Sequence, residues 1–236
     1  MLRAGCGAFP VAHSTYFAAL DTLEAGGPGG RLPRPETAER WRREAPSGFV
    51  FSVRCAGGVA EERFRPTDAV RQAWSDTLRV ASALDARFVV FETPAVFHPS
   101  AAHLQDFYAF FRSMERGEKL LVWQPARGWG ASLVRRVCGD LRLILAVDPI
   151  IDEPAAGAVN YFRLRGAGPG RKAWRGHRYT DEELRRIANS AGGTPTYAYF
   201  LTADMWEDAR RLSLMTRPHD PRGYWRSASP RGGDAR

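Results

Sequence analysis

Short apolar runs of strand length alternate with longer stretches of helical spacing along most of this chain, and that alternation selects a parallel α/β domain over a sandwich. Eight runs have strand length, at residues 2–7, 20–25, 49–54, 88–92, 120–124, 143–148, 160–165 and 196–201. Between them, apolar residues recur every three or four positions at 35–45, 67–84, 101–116, 132–140, 181–191 and 205–215, which predicts helices there. Thr67 after Pro66, and Thr180 ahead of Asp181-Glu182-Glu183, supply N-cap oxygens and first-turn acids where free amides and the helix dipole favour them. Eight strands with intervening helices in roughly 215 residues fit a compact TIM-barrel-like (β/α)8 barrel, with an open doubly wound sheet as the alternative. The stretch 149–159, rich in Pro and Gly, is too broken for a helix, so the crossover between strands six and seven is expected to be an irregular loop. Gly26-Gly27-Pro28-Gly29-Gly30 reads as a turn, and no internal repeat is present. Residues 1–216 are expected to form one domain, and 217–236, where hydrophobic periodicity is lost, a disordered basic tail.

Composition narrows the setting. No apolar run approaches the roughly 18 residues of a membrane helix, and the opening Met1-Leu2-Arg3-Ala4-Gly5-Cys6 lacks the apolar stretch of a signal peptide, so a cytoplasmic protein without membrane contact is expected. Cys6, Cys55 and Cys138 lie far apart with no CxxC pair, which suggests neither a disulfide framework nor a zinc knuckle. Cys6, at the end of the first run, reads as a core thiol rather than a nucleophile. The net charge of +8 invites a nucleic-acid reading, but only Lys119 and Lys172 of the 34 basic residues are lysine, and acids are interleaved with the arginines. Binding to nucleic acid is expected to be weak and salt-sensitive at most, with Arg171, Lys172, Arg175, His177, Arg178 and the tail as its footprint.

In a barrel the active face is the ring of strand C-terminal ends, so what each run ends on matters most. Strand two ends at Glu24, three at Arg54, four at Glu92, five at Gln124 and six at Asp148, and strand seven carries Arg163 and Arg165 two apart on one face. Charges at the ends of buried strands are costly unless paired or solvated in a cleft, and six such ends together point to a shared polar pocket. Arginine forks there suit a small anionic ligand, a phosphate or carboxylate, with Glu24 and Asp148 as catalytic acid or base candidates. Arg54, Glu92, Gln124, Arg163, Arg165, His177 and Tyr179 are the substrate-binding candidates; His98 and His177 sit in loops that would overhang the pocket, whereas His13, His103 and His219 read as surface residues. No histidine is paired with carboxylates at ligand spacing, so no metal site is assigned. No P-loop, HExxH, GxSxG or EF-hand pattern names a cofactor.

These residues also carry a resemblance. The 41–54 stretch, Phe88-Val89-Val90-Phe91-Glu92-Thr93-Pro94, Trp123-Gln124-Pro125-Ala126-Arg127-Gly128-Trp129, Val147-Asp148-Pro149 and Tyr161-Phe162-Arg163-Leu164-Arg165-Gly166 resemble the domain of unknown function 72, or YecE-like, family. The likeness continues through Tyr179-Thr180-Asp181-Glu182-Glu183-Leu184 and Tyr197-Ala198-Tyr199-Phe200-Leu201 to Asp208-Ala209-Arg210-Arg211, covering residues 2–213 in order. It implies a TIM-barrel-like fold and no established reaction. Glu24, Asp148, Arg163 and Tyr179 match the family pattern. Gly5-Cys6-Gly7-Ala8-Phe9 stands where the resemblance implies a Gly-Thr-Ser-Gly-Trp type segment, and Ala56-Gly57-Gly58-Val59-Ala60 where it implies a Thr-His segment. Gln124 replaces a Glu, Arg165 a His, and Leu201-Thr202 a pair of Asn. Glutamine keeps the hydrogen-bonding shape of glutamate while deleting its charge and titratable proton. Two readings follow: an enzyme acting on a small anionic substrate, or a catalytically degenerate ligand-binding protein.

Overall fold

The computed structural model describes residues 1–166 and 175–217. Its strands are β1 (Leu2–Cys6), β2 (Thr22–Ala25), β3 (Val50–Arg54), β4 (Phe88–Glu92), β5 (Leu120–Gln124), β6 (Ile144–Val147), β7 (Asn160–Leu164) and β8 (Thr196–Phe200). Each pairs in parallel with the next, and β8 returns to β1 from Leu2↔Thr196 to Cys6↔Phe200, closing the barrel and excluding the open sheet. The helices are α1 (His13–Ala19), α2 (Pro35–Glu44), α3 (Gly57–Glu61), α4 (Asp68–Ala83), α5 (Ala101–Ser113), α6 (Ala131–Leu141), α7 (Asp181–Ser190) and α8 (Met205–Thr216). Among the described residues, none is long and apolar enough to cross a membrane.

Parallel strands buried on both faces explain the near-continuous apolar runs. Outward residues such as Phe51, Val89, Phe91, Leu121 and Trp123 pack under the helices in the larger core. Inward ones, Phe88, Val90, Val122, Ala146, Tyr161, Tyr197 and Tyr199, form a second cluster that plugs the barrel from below; fully burying one such side chain is worth about 1.5–3 kcal/mol. At Gly5 the first two strands approach so closely that a Cβ would stand 2.3 Å from the Thr22 carbonyl oxygen. Thr67 caps α4 by accepting from the Val70 amide at 3.2 Å, and Thr180 with Glu183 forms a reciprocal capping box on α7.

The structure differs from the expected elements in instructive places. The strands end one residue earlier than the apolar runs at Cys6, Val147, Leu164 and Phe200, so Asp148 and Arg165 fall just past the ladder. Two helices, α1 and α3, were absent from the expected set. The five-residue α3 begins with two glycines, poor helix formers; Gly57 packs so tightly on the β2 loop that a Cβ would stand 2.0 Å from the Gly29 carbonyl oxygen. The crossover from β6 to β7 carries no helix, as its composition predicts. From residue 218 on, the tail lies outside the described residues, as do Arg171 and Lys172 of the expected nucleic-acid footprint.

Candidate functional site

Above the apolar plug the barrel interior turns polar, because the inward positions of successive strands change from Phe, Val and Tyr to Ser, Thr, Glu and Arg. The change begins with a hydroxyl layer, in which the Tyr199 hydroxyl lies 2.6 Å from Thr22 Oγ1 and 2.8 Å from Ser52 Oγ. Over it sits an ion layer centred on Arg163 of β7. Arg163 Nε donates to Glu24 Oε2 at 2.9 Å and Nη2 to Glu24 Oε1 at 2.8 Å, a two-pronged fork. Its remaining nitrogen, Nη1, stands 2.8 Å from Glu92 Oε1 and also donates to Gln124 Oε1. The Tyr161 hydroxyl, two residues earlier on the same face, donates to Glu24 Oε2 at 3.0 Å. Arg54 of β3 brings Nε to 3.4 Å from Glu24 Oε1 and is fixed by the carbonyls of Gly7, at 3.1 Å, and Gly26. Arg165 reaches in from above, with Nη1 4.0 Å from Glu92 Oε1 and 45% of its side chain exposed.

The ionisation of this layer follows from its pairing. Burial acting alone would raise the Glu92 carboxyl and lower the Arg163 guanidinium. Arg163, backed by Arg165 and Arg54, instead holds Glu92 down at about 2, while Glu24 and Glu92 push Arg163 up. Asp148 is the exception. It is only 9% exposed, and burial raises its carboxyl to about 6; the amides of Ile150 and Arg165 lower it, the Asp152 charge raises it and the His177 charge lowers it. The Ile150 amide donates to Oδ1 at 3.1 Å, and Oδ2 has no hydrogen-bond partner among the described residues.

These groups open into a cavity of about 1280 Å³ at the strand C-terminal ends. Of the expected site residues, Arg54, Glu92, Gln124, Asp148, Arg163 and Arg165 line it. Glu24 does not: it is 0% exposed beneath Arg163, which separates it from any ligand in the cavity. His177 and Tyr179 do not line it either. The Tyr179 hydroxyl accepts from the Gly166 amide at 2.9 Å, fastening the start of the loop after β7, and His177 Nε2 lies 3.1 Å from Glu183 Oε1. His98, in the loop after β4, stands away from the cavity with its ring 4.9 Å from His103. Cys6 is buried, its thiol pushed up to about 12 chiefly by burial, as befits a core residue. The wall also includes Arg127, Trp129, Asp152 and Glu153, which sequence reasoning passed over. For Asp152 and Glu153 the one signal was the acid content of the irregular β6 to β7 crossover, where a helix-free loop five residues past a strand end is placed to overhang the barrel mouth. Among the described residues, no group of three His, Cys, Asp or Glu is arranged to hold a metal ion.

A family model described as protein of unknown function DUF72 matches residues 14–220. Among solved structures, a DUF72 family protein from Thermotoga maritima superposes with a TM-score of 0.70 at 15% identity, covering 91% of this chain and 98% of that one. Another from Enterococcus faecalis gives 0.65 at 14% identity, covering 91% and 97%. A xylose isomerase domain containing protein from Salmonella typhimurium gives 0.58 at 13% identity, covering 87% and 90%. No curated protein matches the sequence. At such identities the structural likeness carries the barrel fold alone.

Proposed function

The chain belongs to the family described as protein of unknown function DUF72, a membership that brings a barrel and no reaction, so from the charges of the pocket itself we propose that it binds a small anionic molecule beside a carboxyl that can exchange a proton. One observation carries this reading. At the cavity floor three guanidinium groups, Arg54, Arg163 and Arg165, share two carboxylates, Glu24 and Glu92, with every contact between 2.8 and 4.0 Å. One positive charge is left over, and Arg165, the exposed member, presents it to the cavity. A half-exposed guanidinium that its neighbours do not neutralise attracts an anion, and a carboxylate or phosphate against the Arg165 fork would pair with it.

Within this reading Glu24 is a positioning residue: both its oxygens are committed to Arg163, and it fixes the floor on which Glu92 and Gln124 are held. Asp148 is the group placed to transfer a proton, since it lines the cavity and its carboxyl titrates at about 6, where both forms are populated near neutrality. Gln124 contributes through what it lacks. Its Oε1 accepts from Arg163 as a glutamate oxygen would, but a glutamate there would give three carboxylates to three guanidiniums and cancel the surplus.

The test is anion-dependent thermal stabilisation. Phosphate and a short monocarboxylate such as butyrate, titrated into the full chain at constant ionic strength, should raise its melting temperature saturably, and Arg165→Gln should remove the effect. A shift that persists in Arg165→Gln would place the anion elsewhere and sink the proposal.

A further inference from the structure

Resting on the anion-binding reading, we propose that the ligand's anionic group is joined to an apolar body of one or two rings, making it an aryl phosphate or aryl carboxylate rather than a sugar phosphate. The cavity is too large for a bare anion. At about 1280 Å³ it exceeds the roughly 300–1,000 Å³ that houses a drug-sized ligand, and phosphate alone would leave most of it to water. Its wall is layered by depth. Outside the ion layer, the half-buried residues that line it, among the described residues, are all Gly, Ala, Pro, Leu or Ile. Apart from the buried Asp148, the charged residues outside that layer, Glu61, Arg127, Arg135, Asp152 and Glu153, are exposed and so belong to the mouth. An anion on Arg165 therefore has an apolar belt beside it, between the ion layer and the charged mouth.

The belt offers little to a hydroxylated ligand. Pro94, Pro125 and Pro154 come from the loops after β4 and β5 and from the β6 to β7 crossover, and proline has no N–H to give. Ala126 and Ala60 add methyl groups from the β5 loop and α3. The polar groups that Thr93 and Trp129 bring to the same wall are spent on backbone: Thr93 Oγ1 accepts from the Ala126 amide at 2.8 Å, and Trp129 Nε1 donates to the Phe97 carbonyl at 2.9 Å. Both bonds tie the β5 loop to the β4 side, so the wall stands before a ligand arrives. A sugar hydroxyl buried against it would lose water without regaining a partner, whereas a ring gains by leaving water. Withdrawing roughly 60 Å² of ring from water is worth about tenfold in Kd.

The experiment compares, by calorimetry on the full chain at constant ionic strength, inorganic phosphate with phenyl phosphate, naphthyl phosphate and glucose 6-phosphate. Naphthyl phosphate should bind at least about tenfold more tightly than inorganic phosphate, with phenyl phosphate between them and glucose 6-phosphate no tighter than phosphate itself. Ala126→Asn and Ala60→Asn, each of which sets an amide in the belt from a different element, should cut the naphthyl gain at least about threefold. Inorganic phosphate should bind both variants as it binds the wild type, which also reports that they are folded. Glucose 6-phosphate as tight as the naphthyl ester, no gain from either ring, or a naphthyl gain intact in both variants would overturn the apolar body while leaving the anion pocket standing. Failure of every phosphate to bind, or naphthyl phosphate binding undiminished by Arg165→Gln, would remove the underlying reading as well.

Discussion

Replacing Asp148 with asparagine should stabilise the protein above neutral pH and leave it unchanged near pH 4. An ordinary aspartate titrates at 3.8, and burial lifts Asp148 to about 6 in the folded chain. Between these values the folded state holds a proton that the unfolded state has released, so stability is fully present below pH 3.8 and falls as pH rises to about 6. The interval of about two pH units corresponds to about 3 kcal/mol at 1.36 kcal/mol per unit, an upper figure for a group at the edge of a cavity. Asparagine keeps the acceptor for the Ile150 amide and carries no charge, so it escapes this loss. For a domain of this size the gain amounts to roughly 6–12 °C in melting temperature above pH 7. The assay is urea or thermal denaturation of wild type and Asp148→Asn from pH 4.5 to 8.5, read as the difference between them. Taking the difference removes contributions common to both proteins, including that of Glu92, whose depressed carboxyl gives the opposite slope at lower pH. A pH-independent difference, or a variant less stable throughout, would mean that Asp148 Oδ2 is solvated or paired, and the case for it as the proton-exchanging group would fail.

Gln124→Glu should fold normally, since either side chain accepts from Arg163, yet lose anion binding: a unit charge about 6 Å from the ligand at an effective dielectric near 20 costs about 3 kcal/mol, roughly a hundredfold in Kd by calorimetry. Unchanged anion affinity would show that the floor surplus is not what attracts the ligand. Arg163→Met leaves Glu24 buried without its fork and should cost about 3–5 kcal/mol in urea denaturation, with Glu24→Gln in the same chain recovering at least half. Simple additivity of the two substitutions would mean that the pair is not coupled.

The barrel was legible because strands buried on both faces write themselves as apolar runs, and because Thr67 and Thr180 mark helix starts with local chemistry. Closure was not, since the β1 to β8 pairing joins the two ends of the domain. The polar ring was legible for a similar reason: Arg54, Glu92, Gln124 and Arg163 stand at fixed parity from their strands, and parity sets which face a residue takes. What sequence could not give was depth. Glu24 and Asp148 both read as carboxylates at strand ends, but Glu24 is sealed by an arginine 139 positions away, whereas Asp148, one residue past its ladder, is among the residues that line the cavity. His177 and Tyr179 failed differently. A loop position after a strand suggests that a side chain overhangs the pocket, but their partners, Glu183 and the Gly166 amide, instead draw them into fastening that loop.

Gln124 shows why a site is better read by its balance than by its members. Taken alone, glutamine in place of glutamate is a deletion, since an acid, a base or a metal ligand has gone. Set among Arg54, Arg163, Arg165, Glu24 and Glu92, the same change alters the charge of a closed group whose other members are all committed to one another. Deleting one negative charge from such a group transfers the unmet demand to its most exposed cation, and here that cation is Arg165, itself a departure from the histidine that the family resemblance implies. In the proposed anion-binding reading the two departures are complementary: one creates a surplus at the floor, and the other provides a permanently charged, forked side chain to express it at the cavity.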